Sequence, residues 1–140
     1  MAEESTTPDP VERWRQMHEA VGHGDFDTSV RFYSPEAVWD ASAVGIGRFE
    51  GVAAIRSHLE DFVAPYEEFE IKLEECQNLG NGVVFAVARH AGRMAGGTGR
   101  VQEWTIFISE WAEGIVVRVT VYIDIDEARA AAERLAEERG

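Results

Sequence analysis

Two side chains in this sequence are of a type and in a setting to move protons. Asp40 closes the short strand-like run Ala37-Val38-Trp39 and precedes a loop containing Gly45, Gly47 and Gly51. A carboxylate there has two uses. It caps the turn that follows through its own oxygens, or it stands in an apolar cavity, where desolvation disfavours its charged form and lifts its pKa toward neutrality. His90 ends an alternating run whose same-side companions are Val84, Ala86 and Ala88, because neighbouring residues of a strand point to opposite faces. Small apolar companions leave room for a ligand. An imidazole among them either exchanges protons with that ligand or an acid, or is a satisfied core histidine.

Other chemistries find little support. The remaining histidines and the acids show no ligand spacing such as His-x-x-x-His, and no metal or other cofactor is expected. Cys76 is the single cysteine and has no partner for a disulfide or a zinc site; it reads as a small apolar filler. Residues 94–99 (MAGGTG) suggest a phosphate loop but lack its lysine and following helix, so they read as a hairpin loop. His23, between two glycines, and His58, beside charged neighbours, read as surface residues. With a net charge of −13, the chain offers no basic surface for phosphates, and nucleic acid is not an expected partner. No apolar run approaches the ~18 residues of a membrane span. The polar, acidic opening MAEESTTPDP is unlike a signal or transit peptide, so no membrane association and a cytoplasmic location are expected.

The elements that must position these groups follow from periodicity and punctuation. The chain has 140 residues, the size of one domain, and its 45% hydrophobic and 28% charged content is that of a folded protein. Residues 1–8 read as a frayed tail and 9–140 as the domain. Asp9-Pro10 with Glu12 is a helix start, and Val11, Trp14, Met17, His18 and Val21 form the helix's apolar stripe up to the Gly22-His23-Gly24 stop. Asp25 caps a second short helix carrying Phe26, Val30 and Tyr33, halted at Ser34-Pro35. Val52 to Phe62 is a third, with Ile55, Leu59 and Phe62 facing a core.

The rest is mainly strand. Phe69 to Leu73 alternates strictly, Asn81-Gly82 turns the chain into Val83 to Arg93, and Ala112-Glu113-Gly114 joins Val101–Trp111 to Ile115–Asp124. Both faces of the second run are mostly apolar, since Val83, Phe85 and Val87 oppose Val84, Ala86 and Ala88. Such a sheet needs helices over one face and a second subunit or an outer layer over the other. A homodimer through the outer sheet face is therefore expected. Residues 126–139 (DEARAAAERLAEER) close the chain as a helix with acids first and arginines late.

This element order resembles the nuclear transport factor 2-like superfamily, in particular its SnoaL-like and ketosteroid-isomerase-like branches. The similar stretches are Gly24-Asp25-Phe26-Asp27 with Phe32 to Asp40, then Phe49-Glu50-Gly51 to Ala54-Ile55-Arg56, then Gly114 to Val119 with Tyr122-Ile123-Asp124, and Asp126-Glu127-Ala128. The resemblance covers about residues 10 to 135. It implies an α+β fold: a cone-shaped, curved antiparallel sheet packed against N-terminal helices, enclosing an apolar pocket, with a C-terminal helix. It places Asp40 where the isomerases carry their general base and turns it inward, with His90 as its partner. It lines the pocket with Trp14, Met17, His18, Ala86, Ala88, Glu103, Thr105, Phe107, Val119 and Val121.

The same resemblance removes two specific activities. Phe107 stands where the isomerases place a protonated acid, and Met17 where they place a tyrosine, so their oxyanion hole is missing. Thr120 and Val121 occupy last-strand places where the epoxide hydrolases carry an acid of their catalytic triad. Asp124 then reads as the cap of the last helix. Fold does not name function. The reading is a small isomerase, cyclase or lyase using Asp40 and His90 on a hydrophobic carbonyl-containing metabolite. Its alternative is a non-catalytic binder of a hydrophobic small molecule or a dimeric interaction module.

Overall fold

The structure, a computed structural model, describes residues 9–140; the expected tail over residues 1–8 lies outside the described residues. Helix α1 (Pro10–Gly22) starts as its sequence demands, with Asp9 Oδ1 accepting the Val11 amide at 3.0 Å and proline at the first position, where no N–H is needed. Helix α2 (Phe26–Val30) is capped by Asp25, which accepts from the Thr28 amide. Strand β1 (Tyr33–Ala41), a 3₁₀ turn (Ser42–Val44), strand β2 (Gly47–Glu50) and helix α3 (Val52–Val63) follow. Four meandering strands come next, β3 (Tyr66–Gly80), β4 (Val83–Met94), β5 (Arg100–Ala112) and β6 (Ile115–Tyr122), and helix α4 (Ile125–Arg139) ends the chain.

The six strands form one open sheet in the order β2-β1-β6-β5-β4-β3. All neighbours are antiparallel except β1 and β6, which run parallel, so the expected all-antiparallel sheet is interrupted at this one seam. The two tight hairpins take the turn their residues favour. Asn81 and Gly82, and Glu113 and Gly114, all have positive φ, as a two-residue turn matched to strand twist requires. Two segments depart from expectation. β1 begins at Tyr33 and irregularly passes Pro35, which has no N–H to give a ladder, before regular pairing resumes at Val38. Part of the glycine-rich loop is strand β2, held antiparallel to β1.

The two faces of β4 serve two cores. Val84, Ala86 and Ala88 join Trp14, Met17, Trp39, Ile55 and Phe107 beneath α1 and α3. Val83, Phe85 and Val87, with Ile106 and Ile108 of β5, pack instead against Ala128, Ala132 and Ala136 of α4. The cover expected for the outer face, a second subunit or an outer layer, is thus α4 of the same chain. Its alanines let the helix axis approach the sheet closely. The apolar part of that face is therefore not free for the homodimer expected through it. What stays open is a part where Arg48 meets Glu50 and Arg118 meets Asp40, together with Trp104, 55% exposed beside Arg89.

Candidate functional site

The inner face of the sheet, α1, α3 and the loop after β1 enclose a cavity of about 290 Å³ that opens to solvent at one end. That volume is close to the lower end of small-molecule sites, roughly 300–1,000 Å³. Aromatic rings build much of its wall. Trp39 and Phe107 meet edge to face with centroids 5.7 Å apart, and Phe107 meets His18 at 5.5 Å. On the other side His58 stacks on Phe49 at 4.3 Å, and Phe62 points its edge at His90 at 4.8 Å.

Of the residues expected to line this space, Met17, His18, His90, Glu103, Thr105, Phe107 and Val121 do so. Trp14, Ala86, Ala88 and Val119 do not reach the surface of the cavity; they are buried in the core behind it. Asp40 is on the other side of the sheet. Period-two alternation along β1 turns Ala37, Trp39 and Ala41 inward, so Asp40 points out. There Oδ1 accepts the Ser42 amide at 3.0 Å, and Oδ2 accepts from Arg118 Nη2 at 2.9 Å. The hydrogen bonds from Ser42, aided by Arg118, hold the carboxyl below the usual carboxylate range. A pocket base needs the opposite shift and the opposite direction. The expected pairing of Asp40 with His90 across one cavity is not what the fold builds, and Asp40 is the turn cap that its sequence position also allowed.

Several wall residues were not singled out by sequence reasoning. Trp39 and the loop residues Val44 and Ile46 line the cavity, as do His58 and Phe62 of α3. His58 is half-buried rather than on the surface, and burial lowers its pKa. The signal was present. Ile55, His58, Leu59 and Phe62 recur at helical spacing, which puts His58 on the apolar stripe despite its charged sequence neighbours. Trp39 was equally legible from the inward phase of Ala37 and Ala41.

Inside the cavity burial holds His18 and His90 toward their neutral forms, and their hydrogen bonds decide which ring nitrogens carry protons. His18 is buried, and its Nδ1 lies 3.0 Å from the Trp14 carbonyl oxygen. A carbonyl only accepts, so Nδ1 carries the proton and Nε2 keeps a lone pair, for which the described residues offer no partner. Burial lowers the pKa of His18 to about 4, the Trp14 bond opposing and the nearby His90 adding to the fall. His90 is 3% exposed, with Nε2 2.9 Å from Thr105 Oγ1 and Nδ1 sealed without a partner.

A sealed lone pair costs less than a sealed orphan N–H, so the His90 proton belongs on Nε2 and is donated to Thr105. The Thr105 hydroxyl hydrogen is then left for the cavity. Burial lowers the pKa of His90 too, with the Glu103 charge partly offsetting it. The result is an acceptor, His18 Nε2, and a donor, the Thr105 hydroxyl, in a mostly apolar chamber whose wall also carries Ser29, Tyr33, His58 and the Trp39 indole N–H, buried without a partner among the described residues.

Cys76 is half-buried against the inner core, and burial pushes its thiol up to about 11, so it is protonated and inert near neutral pH. Among the described residues there is no cluster of histidine, cysteine or acids able to hold a metal ion, and no helix is long and apolar enough to cross a membrane.

Comparison with known proteins places the fold. Among solved structures, an uncharacterised cystatin-fold protein from Novosphingobium aromaticivorans superposes with a TM-score of 0.71 at 19% identity, over 83% of this chain and 99% of its own. An LEH-like epoxide hydrolase from M. tuberculosis gives 0.67 at 21% identity, over 89% and 90%. A polyketide cyclase proposed for Xanthomonas campestris gives 0.66 at 21% identity, over 88% and 96%. At these identities the likeness is one of fold. No curated protein matches the sequence. The model of the SnoaL-like domain matches residues 14–131, from the first inward tryptophan of α1 to the middle of α4, and the chain belongs to that family.

Proposed function

We propose that this SnoaL-like chain binds a compact, apolar small molecule that carries both a carbonyl oxygen and a proton donor such as a hydroxyl. The supporting observation is the pair of fixed tautomers in the cavity. Thr105, held by His90, offers a hydroxyl hydrogen, and His18 Nε2 offers a lone pair. The carbonyl takes the first and the donor the second. Neutral hydrogen-bonding groups in a mostly apolar wall orient a ligand's carbonyl and donor at little cost in desolvation.

A catalytic reading rests on one of the same atoms. A lone pair on His18 Nε2 and a hydroxyl able to polarise a carbonyl, both on the wall of one cavity, offer an acid–base pair for enolisation, the step shared by isomerases, cyclases and lyases. It replaces the Asp40 base with an imidazole whose pKa of about 4 makes it a weak one. Binding is therefore the stronger reading.

One probe separates the two. 1-Tetralone, an apolar enolisable ketone, is titrated by tryptophan fluorescence and then incubated with the protein in D₂O while its α-protons are followed by NMR. Saturable binding without exchange above buffer supports the binding module. Exchange that disappears in His18→Gln supports the enzyme. Absence of binding refutes both.

A further inference from the structure

We propose that Glu103 makes the mouth of the cavity selective for ligands that end in an ammonium group, so that the molecule taken up is a hydrophobic amine seated ring-first. This rests on the binding role given to the cavity above. Among the described residues Glu103 is the only charged side chain on a wall otherwise built from apolar, aromatic and neutral polar residues, and no lysine or arginine lines it. The register of β3, β4 and β5 sets Ile71, His90 and Glu103 in one row across the inner face, with Glu103 solvent-exposed at the open end and His90 buried in the interior. The row thus grades from a dry wall to a charged rim.

Glu103 has the further distinction of being unpaired. Neighbouring acids on this edge are answered by arginines: Glu67 and Glu68 by Arg93, Glu68 and Glu70 by Arg100, and Glu74 by Arg89. Among the described residues no cation reaches Glu103. Its charge nevertheless acts inward: burial lowers the pKa of His90 and Glu103 partly offsets that fall, while burial raises the pKa of Tyr66 and Glu103 adds to the rise. An ammonium group at the rim would answer this free charge, while a carboxylate or phosphate there would meet both it and the net charge of −13. The partly buried Phe62, whose ring packs beside His90, adds an aromatic surface on which a cationic end rests favourably.

A matched series on one rigid skeleton tests this: 1-adamantanamine, 1-adamantanol and 1-adamantanecarboxylate, each titrated into the wild-type protein and Glu103→Gln by calorimetry at low salt. A rim-exposed ion pair is worth a factor of about two to five in affinity. The amine is expected to bind about that much more tightly than the alcohol, and the carboxylate more weakly than either. Glu103→Gln should bring the amine down to the alcohol while leaving the alcohol unchanged. Equal affinity of amine and alcohol in the wild-type protein, or a preference that survives Glu103→Gln, overturns the assignment of Glu103 and leaves the cavity's binding role standing. Failure of all three to bind overturns the amine assignment, while the binding role itself is decided by 1-tetralone.

Discussion

Arg118 of β6 reaches Asp40 of β1 across the parallel seam of the sheet, Nη2 to Oδ2 at 2.9 Å, on the face turned away from the cavity. The carboxylate is thereby committed on both oxygens, one to Arg118 and one to the Ser42 amide that opens the 3₁₀ turn. Asp40→Asn keeps the shape and loses the charge. It is expected to cost about 1 kcal/mol in stability, as partly exposed pairs do, and to leave 1-tetralone affinity within a factor of two. Urea denaturation and fluorescence titration read the two effects. A tenfold loss of affinity with stability unchanged would put Asp40 back in the pocket.

The pH dependence of folding should carry the mark of His18. Its folded pKa, about 4, lies below its unfolded value near 6.5. Between those values the unfolded chain binds a proton that the folded chain refuses, so stability is fully present above pH 6.5 and is lost as pH falls toward 4. A difference of that size corresponds to about 3 kcal/mol from this group alone. His18→Gln, which keeps a donor for the Trp14 carbonyl but cannot titrate, should flatten the wild-type slope over this window. Parallel urea midpoints from pH 7.5 to 4.5 give the comparison; identical slopes in the two proteins would show that His18 is not buried neutral.

Much of the fold was legible in the sequence because local signals agreed with one another. Asp9-Pro10, Asp25 and Asp124 each cap the helix they announce, Asn81-Gly82 turns where it should, and the alternation of β4 sorts Val84, Ala86 and Ala88 from Val83, Phe85 and Val87 onto two real cores. What failed was information that lives between elements. That α4 covers the outer face depends on how the chain returns after β6, which no local pattern encodes. Whether Asp40 faces in or out depends on the phase of β1 past Pro35, and the family resemblance, which concerns positions along the chain, overrode the phase that Ala37, Trp39 and Ala41 were showing. His58 was lost for a similar reason, as its neighbours in sequence are not its neighbours on the helix face.

The docking of α4 can be tested directly. Ala132 is fully buried between the helix and Val83, Phe85 and Ile108 of the outer face. Ala132→Asp places an unpaired carboxylate in that contact and should cost about 3 kcal/mol or more. If the helix lifts, the apolar face beneath it becomes a free surface and the protein should associate. Light scattering on Ala132→Asp is expected to show species larger than those of the wild-type protein at equal concentration. A variant as stable as the parent and of unchanged size would mean that α4 does not cover the sheet.

Gly82 illustrates a glycine required by contact as well as by conformation. Its φ is +79°, and a Cβ there would collide with the carbonyl oxygen of Trp111, part of the backbone that accepts no easy shift. Gly24 has a similar φ, +76°, but open space around it. Both alanine variants pay the left-handed penalty, roughly 1 kcal/mol. Gly82→Ala should lose at least twice as much stability as Gly24→Ala in thermal or urea unfolding, since only it must also displace the β4–β5 hairpin register at Trp111. Equal losses would show that the hairpin yields there at no cost.

Thr105 is where the hydrogen-bond logic of the cavity is most exposed to test. His90 donates to its oxygen, and its own hydrogen is left for a ligand carbonyl. Thr105→Val preserves shape and removes both roles at once: the ligand loses a hydrogen bond, and His90 Nε2–H is left buried without an acceptor. The second loss costs about 1–3 kcal/mol of stability. The first costs about 1 kcal/mol of binding, close to fivefold in the affinity for 1-tetralone. Thr105→Ser restores the hydroxyl without the methyl and should recover both quantities to near the wild-type values. That rescue separates the polar role from packing, because a methyl that merely filled space would be missed in the serine variant and kept in the valine one. If valine proves neutral and serine harmful, Thr105 is part of the wall, and the cavity's donor must be sought elsewhere.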